Sequence, residues 1–255
     1  MTVRRPGFPA RVDTGGQTAA ARKPAGAAPA AFAAPQGAGM DSGAIRARMV
    51  QKLAAQGISD RQVLRAMGTI ERHRFVDSAL MNQAYEDTSL PIGLGQTISK
   101  PNVVARMMEL MLGAHKEPDG RLGRVLEIGT GCGYQAALLS LVAREVYSIE
   151  RLRGLHDKAR ENLRLFRLAN LHLLFGDGMA GYARGAPYAA IIAAAGGEAV
   201  PQAWTDQLAV GGRIVAPLVT AGGQQALVVI DKTPQGLKQT LLEAVHFVPL
   251  KSGIA

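Results

Sequence analysis

"RVLEIGTGCGYQAALLS", residues 124–140, sets three glycines within five residues, between an apolar run and a helix-like stretch. Such a loop lets a ligand approach the backbone closely, and its spacing says which ligand. A phosphate-cradling P-loop needs G-x-x-x-x-G-K-[ST], and no such lysine follows here. The dinucleotide fingerprint needs G-x-G-x-x-G, whereas Gly129, Gly131 and Gly133 run G-x-G-x-G and are followed by Tyr134 and Gln135. Glu127 stands at the end of the preceding strand. Its carboxylate would repel a pyrophosphate and suits a ligand with a positive centre.

Outward from this loop, strands and helices alternate. "RVLEIG", "EVYSIE", "LHLLFGD", "YAAIIAAA", "GRIVAPL", "QALVVID" and "AVHFVPL" read as seven strands. "YQAALLSLVA", "RLRGLHDKARENLRLF" and "PQAWTDQL" read as helices between them. That order predicts an α/β fold, a mostly parallel sheet with helices on both faces. The last two strands lack an intervening helix, so one of them should run antiparallel. Upstream, Ile45, Met49 and Leu53 define a helix that stops at Gly57, and Ser59 with Gln62 fits a capping box for the next. "LPIGLGQTISKP" reads as a loop into a third helix with Val103, Val104, Met107, Met108 and Met111 on its apolar side. The methionines are core filler.

The domain organisation follows from composition. Residues 1–40 are rich in Ala, Pro, Gly and Arg and hold almost no bulky apolar side chain, which predicts a disordered tail. Its prolines and glycines argue against the amphipathic helix of a transit peptide. Residues 41–255 form the folded domain, with N-terminal helices and a substrate loop in 41–120 and the sheet in 121–255. Of the net charge of +9, the tail carries +4: Arg4, Arg5, Arg11, Arg22 and Lys23 against Asp13. The domain is only mildly basic, and aromatics at 5% show no base-stacking cluster, so no nucleic-acid partner is expected. No apolar run approaches the ~20 residues of a membrane span. The single Cys132 excludes an intrachain disulfide and suits a reducing, cytoplasmic setting; within the loop it is a space filler, not a nucleophile. The five histidines show no metal-ligand spacing.

E-x-G-x-G-x-G after a first strand, with acids closing the second and third, resembles the S-adenosylmethionine site of class I methyltransferases, a Rossmann-like fold. That cofactor carries a sulfonium, an ammonium and a carboxylate, and no phosphate. The resemblance places the loop residues Gly129, Thr130, Gly131, Gly133 and Tyr134 beneath it, with Glu127 before them. Glu150, seventeen residues after Gly133, would accept from both ribose hydroxyls, and Asp177, followed by Gly178, from the adenine amino group.

More narrowly, the chain resembles the protein-L-isoaspartate O-methyltransferases. The likeness rests on "FVD" at 75–77, "LPIGLGQTISKPNVVARM" at 90–107, "VYSIER" at 146–151, "GDG" at 176–178, "VPQAWTDQLAVGGRIVAPL" at 200–218 and "FVPL" at 247–250. It implies methyl transfer to the free carboxylate of L-isoaspartyl residues in damaged proteins, D-aspartyl residues being a further acceptor class. It implies the active hydroxyl at Ser99, with Thr97 and Ile98 in the same loop. Ser99 precedes Pro101 and so could instead serve only as a helix N-cap. The isoaspartyl proteins are the expected partners, and a monomer is expected. A methyltransferase acting on RNA or a small molecule is the alternative. Two positions depart from the family pattern: Ala189 and Ala194 stand where many members have Asp and Thr, which implies altered affinity without loss of activity.

Overall fold

Apolar alternation decides which way each strand faces. In the computed structural model, which describes residues 42–255, a strand covers Leu122–Ile128 and sends Val125 to one core and Leu126 and Ile128 to another. The chain first builds three helices, α1 (Ser42–Ala55), α2 (Arg61–Thr69) and α3 (Pro101–Met111). Met49 and Leu53 of α1 are buried, as the four-residue spacing requires, and Gly57 stops it at φ +101°. The expected capping box at Ser59 is displaced by one residue. Asp60 is the cap, accepting from the N–H groups of Gln62 and Val63 at 2.7 and 3.1 Å. Ser59 is claimed by Glu109, which accepts from its N–H and hydroxyl.

A second correction concerns the stretch before α3. It is a hairpin, β1 (Leu90–Gly93) against β2 (Gln96–Ile98), where a loop was expected. Gly93, Leu94 and Gly95 all take positive φ at its tip. A tight reversal of that kind sets two short strands side by side without any apolar run to announce them.

The main sheet contains β3 (Leu122–Ile128), β4 (Ala143–Glu150), β5 (Leu171–Phe175), β6 (Tyr188–Ala193), β7 (Leu208–Val219), β8 (Gln225–Thr233) and β9 (Gly236–Val245). Their order is β5-β4-β3-β6-β7-β8-β9. The first five are parallel and β8 is antiparallel to both neighbours, as the missing helix demanded. The final strand differs from expectation. "AVHFVPL" contributes only Ala244 and Val245 to β9, whose other residues lie upstream. Most of β9 is exposed, so it lacks the alternation that marks a half-buried strand.

Helices α4 (Tyr134–Val142) and α5 (Arg153–Leu163) join α1 to α3 on one face of the sheet, packing against Val125, Ala190 and Val215. The short α6 (Gln202–Gln207) covers the other, where Trp204 packs with Leu126, Ile191 and Ile214. From β3 the chain moves outward to β4 and β5, then returns to place β6 on the other side of β3. Open parallel sheets bind ligands beyond the strand C-termini at such a reversal. The tail at 1–40 lies outside the described residues.

Candidate active site

The reversal between β3 and β6 opens into a cavity of about 480 Å³. Its floor is the loop after β3, where Gly129, Gly131 and Gly133 adopt φ of +89°, +57° and +92°. Side chains other than glycine strongly disfavour those values, and space is also short. A Cβ on Gly131 would meet Ile92 of the hairpin at 3.2 Å, and one on Gly133 would meet Leu163 at 2.7 Å. Gly129, Thr130, Gly131 and Tyr134 line the cavity, while Gly133 lies behind it as the N-cap of α4.

Glu150 ends β4 and also lines the cavity. Its two oxygens are used evenly: Oε2 accepts the N–H of Gly131 and Oε1 that of Leu152, each at 2.9 Å. Each oxygen keeps a further lone pair, because a carboxylate offers about four acceptor sites. No Lys or Arg is ion-paired with it among the described residues. A buried carboxylate with spare acceptors at a cavity wall suits a ligand bearing hydroxyl donors. Gly178 reaches the same cavity, its carbonyl held by the indole N–H of Trp204 at 2.8 Å.

Two expected contacts lie elsewhere. Glu127 is fully buried beneath the loop and is not part of the cavity wall. The parallel register sets it beside Ser148, whose hydroxyl donates to Oε2 at 2.5 Å and meets Thr130 Oγ1 at 2.6 Å. Its other oxygen has no hydrogen-bond partner. Burial pushes Glu127 up to about 8; the hydrogen bond from Ser148 opposes that rise, and the Glu150 charge adds to it. Asp177 faces a separate open groove of about 1270 Å³ along α5 and β5, which holds none of the glycine loop. Its Oδ1 accepts from Met179 N–H at 2.8 Å and its Oδ2 from Gly253 N–H at 2.7 Å. Cys132 is buried and its thiol is pushed up to about 11, which removes it as a nucleophile at neutral pH.

A second cavity, of about 320 Å³, adjoins the first. Thr97, Ser99, Ala194 and Val248 line both. Ser99 is not the helix cap. Lys100 holds the N-cap position of α3, and Asp87 supplies the side-chain cap by accepting from Asn102 N–H at 2.9 Å. The Ser99 hydroxyl has no hydrogen-bond partner among the described residues. Ala194 therefore stands at the junction of the cavities, whereas Ala189 lies at the opposite end of β6 beside Gly123 and Gly212.

Two contributors escaped the sequence reading. Arg72 is fully buried and donates to the carbonyls of Ala84 at 2.7 Å and Ser99 at 2.8 Å, with its guanidinium 5.0 Å from the Tyr134 ring. Desolvation lowers its pKa, and Nη1 has no partner. The second is the segment Val248–Lys251, which lines the first cavity. Beyond it the chain returns to the connection between β4 and α5, Ala255 exchanging backbone hydrogen bonds of 2.8 Å with Arg151 and Arg153.

A reversal-point crevice, a phosphate-free glycine loop and an acid closing the second strand define a class I S-adenosylmethionine-dependent methyltransferase. The chain belongs to the protein-L-isoaspartate(D-aspartate) O-methyltransferase family, whose model matches residues 44–255. A protein-L-isoaspartate O-methyltransferase of Methylibium petroleiphilum is 62% identical over 221 residues, covering 86% of this chain and 81% of that protein. One of Leptothrix cholodnii is 61% identical over 220 residues, covering 85% and 77%. Among solved structures, a protein-L-isoaspartate O-methyltransferase aligns with TM-score 0.73 at 28% identity, over 82% of this chain and 67% of that one. A Plasmodium falciparum protein in complex with S-adenosyl-L-homocysteine shares the fold at TM-score 0.68 and 22% identity, over 81% and 98%.

Proposed function

We propose that this chain transfers a methyl group from S-adenosylmethionine to the free α-carboxylate of L-isoaspartyl residues in damaged proteins, the first step of their repair. The observation that carries this reading is the junction of two cavities at Thr97 and Ser99. One side has the furniture for a nucleoside, and the other opens to an acceptor.

The residues fit the cofactor. Glu150 would hold the ribose hydroxyls with the lone pairs that Gly131 and Leu152 leave it, and the glycine loop would let the backbone pass close beneath. When bound, S-adenosylmethionine supplies an electrophilic methyl group on a sulfonium. Glu127 acts from one layer down, through the loop that it and Ser148 brace. Gly178 and the segment Val248–Lys251 complete the enclosure.

The chain's own part in the chemistry is positional. A carboxylate with an ordinary pKa near ~4 is ionised at neutral pH, so no general base is required. The free hydroxyl of Ser99, with Thr97 beside it, orients one acceptor oxygen toward the cofactor side. Arg72 holds the Ser99 carbonyl, so the hydroxyl sits on a fixed backbone. Ala194 leaves the junction without an extra hydroxyl, which supports altered acceptor affinity with activity retained.

Among the described residues no helix is long and apolar enough to cross a membrane. A single buried thiol supports the cytoplasm as the place of action. Methyl transfer to an isoaspartyl peptide, with the matching aspartyl peptide as control, tests the proposal: only the first should be labelled.

A further inference from the structure

We propose that Lys100 makes the second cavity a reader of negative charge beside the damaged residue, so that favoured acceptors carry an acidic side chain next to the isoaspartyl linkage. This rests on the methyl-transfer reading above and names the substrate class within it.

The second cavity has one fixed charge in its lining, and that charge is Lys100. No carboxylate lines it, and its one other titratable side chain is His246. Lys100 is exposed and forms no ion pair among the described residues. The nearby acids are engaged elsewhere. Asp87 caps α3 through Asn102, and Glu243 on β9 pairs with Arg106 at 2.8 Å. A cation without an ion pair, in a half-enclosed cavity lined by no acid, favours an anionic occupant.

The spacing says where that anion belongs. Lys100 follows Ser99 directly, and adjacent Cα atoms are about 3.8 Å apart. The four-carbon stem of lysine reaches over a distance comparable to one or two residues of an extended peptide. If Ser99 orients the acceptor carboxylate, the ammonium meets the side chain of a flanking residue. A cavity of about 320 Å³ has room for such a neighbour, at the low end of ordinary binding pockets. The acceptor carboxylate is common to all isoaspartyl substrates, so the cation discriminates among them through what lies beside it.

The test compares three isoaspartyl peptides identical except for Glu, Gln or Lys at both flanking positions, with kcat/KM as the readout. The intact protein should prefer the Glu peptide to the Gln peptide by about two- to fivefold, the span of a partly exposed ion pair, and the Lys peptide should be poorest. High ionic strength should shrink the preference. Lys100→Gln should abolish it, and Lys100→Glu should reverse it; the Gln peptide is the internal reference for each variant. Equal kcat/KM across the three peptides in the intact protein would overturn the proposal, as would a preference that survives Lys100→Gln. If none of the three peptides is methylated, the methyl-transfer reading itself fails and the charge reader falls with it, an outcome distinct from equal labelling.

Discussion

Glu150 Oε2 accepts the backbone N–H of Gly131 at 2.9 Å, so the acid that ends β4 also fixes the glycine loop that follows β3. One carboxylate thus shapes the cavity floor and presents acceptors at its wall. Glu150→Ala should weaken S-adenosylmethionine binding by about 1.5–3 kcal/mol, the size of hydrogen bonds to a charged group. Part of that loss would come through the loop, since Gly131 and Leu152 lose their acceptor. Calorimetry on the folded variant measures it, and unchanged affinity would remove Glu150 from the site.

Ser99→Ala separates chemistry from folding. Because Asp87 caps α3, loss of the Ser99 hydroxyl should leave the melting temperature unchanged while turnover falls roughly tenfold to a hundredfold. Asp87→Ala should show the complementary result, with stability lower by about 1 kcal/mol from the lost cap. A Ser99→Ala protein that melts early and turns over normally would contradict both assignments.

The buried Glu127 predicts a pH dependence with a definite sign. Its carboxyl is held up to about 8 in the fold against an ordinary 4.5, so the folded state binds the extra proton between those values. The stability it contributes is complete below pH 4.5 and is lost as pH rises through about 8. Glu127→Gln, which stays neutral, should flatten this term, and the difference between the two proteins at pH 8 should be of the order of a few kcal/mol. Thermal melting of both across that window checks it. Parallel curves would show that Glu127 is ionised in the fold.

Asp177 should behave as a structural residue. It caps a turn through Met179 N–H and holds the C-terminal segment through Gly253 N–H. Asp177→Ala should therefore cost about 1–2 kcal/mol of stability, with less effect on cofactor affinity than Glu150→Ala. An affinity loss equal to that of Glu150→Ala, at unchanged melting temperature, would instead give its carboxylate a direct ligand contact.

What could be read from the sequence was what burial writes into it. The strands β3, β4 and β6 are apolar where they meet a core, and the loop glycines are demanded by backbone angles that few other residues adopt. Thr97, Ser99, Glu150 and, from the loop, Gly129, Thr130, Gly131 and Tyr134 line the cavities, whereas Gly133 lies behind them. Where burial is weak, the pattern fails. β9 is exposed along most of its length, and the hairpin at Leu90–Ile98 is too short to show a period. Ser59 and Asp60 are both able caps, and only the distant Glu109 decides between them. Arg72 is the clearest omission. Arginine reads as a surface residue, and its burial depends on carbonyls at Ala84 and Ser99 that only the fold brings together.

The central claim is acceptor choice at the junction of Thr97 and Ser99. An isoaspartyl peptide and its aspartyl twin differ by the placement of one backbone methylene, which moves the free carboxylate from the side-chain end to the α-position. Orientation-dependent transfer is sensitive to such a shift. Radiolabelled methyl transfer to the two peptides, side by side and with the same enzyme, should label the isoaspartyl form and leave the aspartyl form essentially untouched. Equal labelling of both, or labelling of neither while transfer RNA is methylated, would contradict the account.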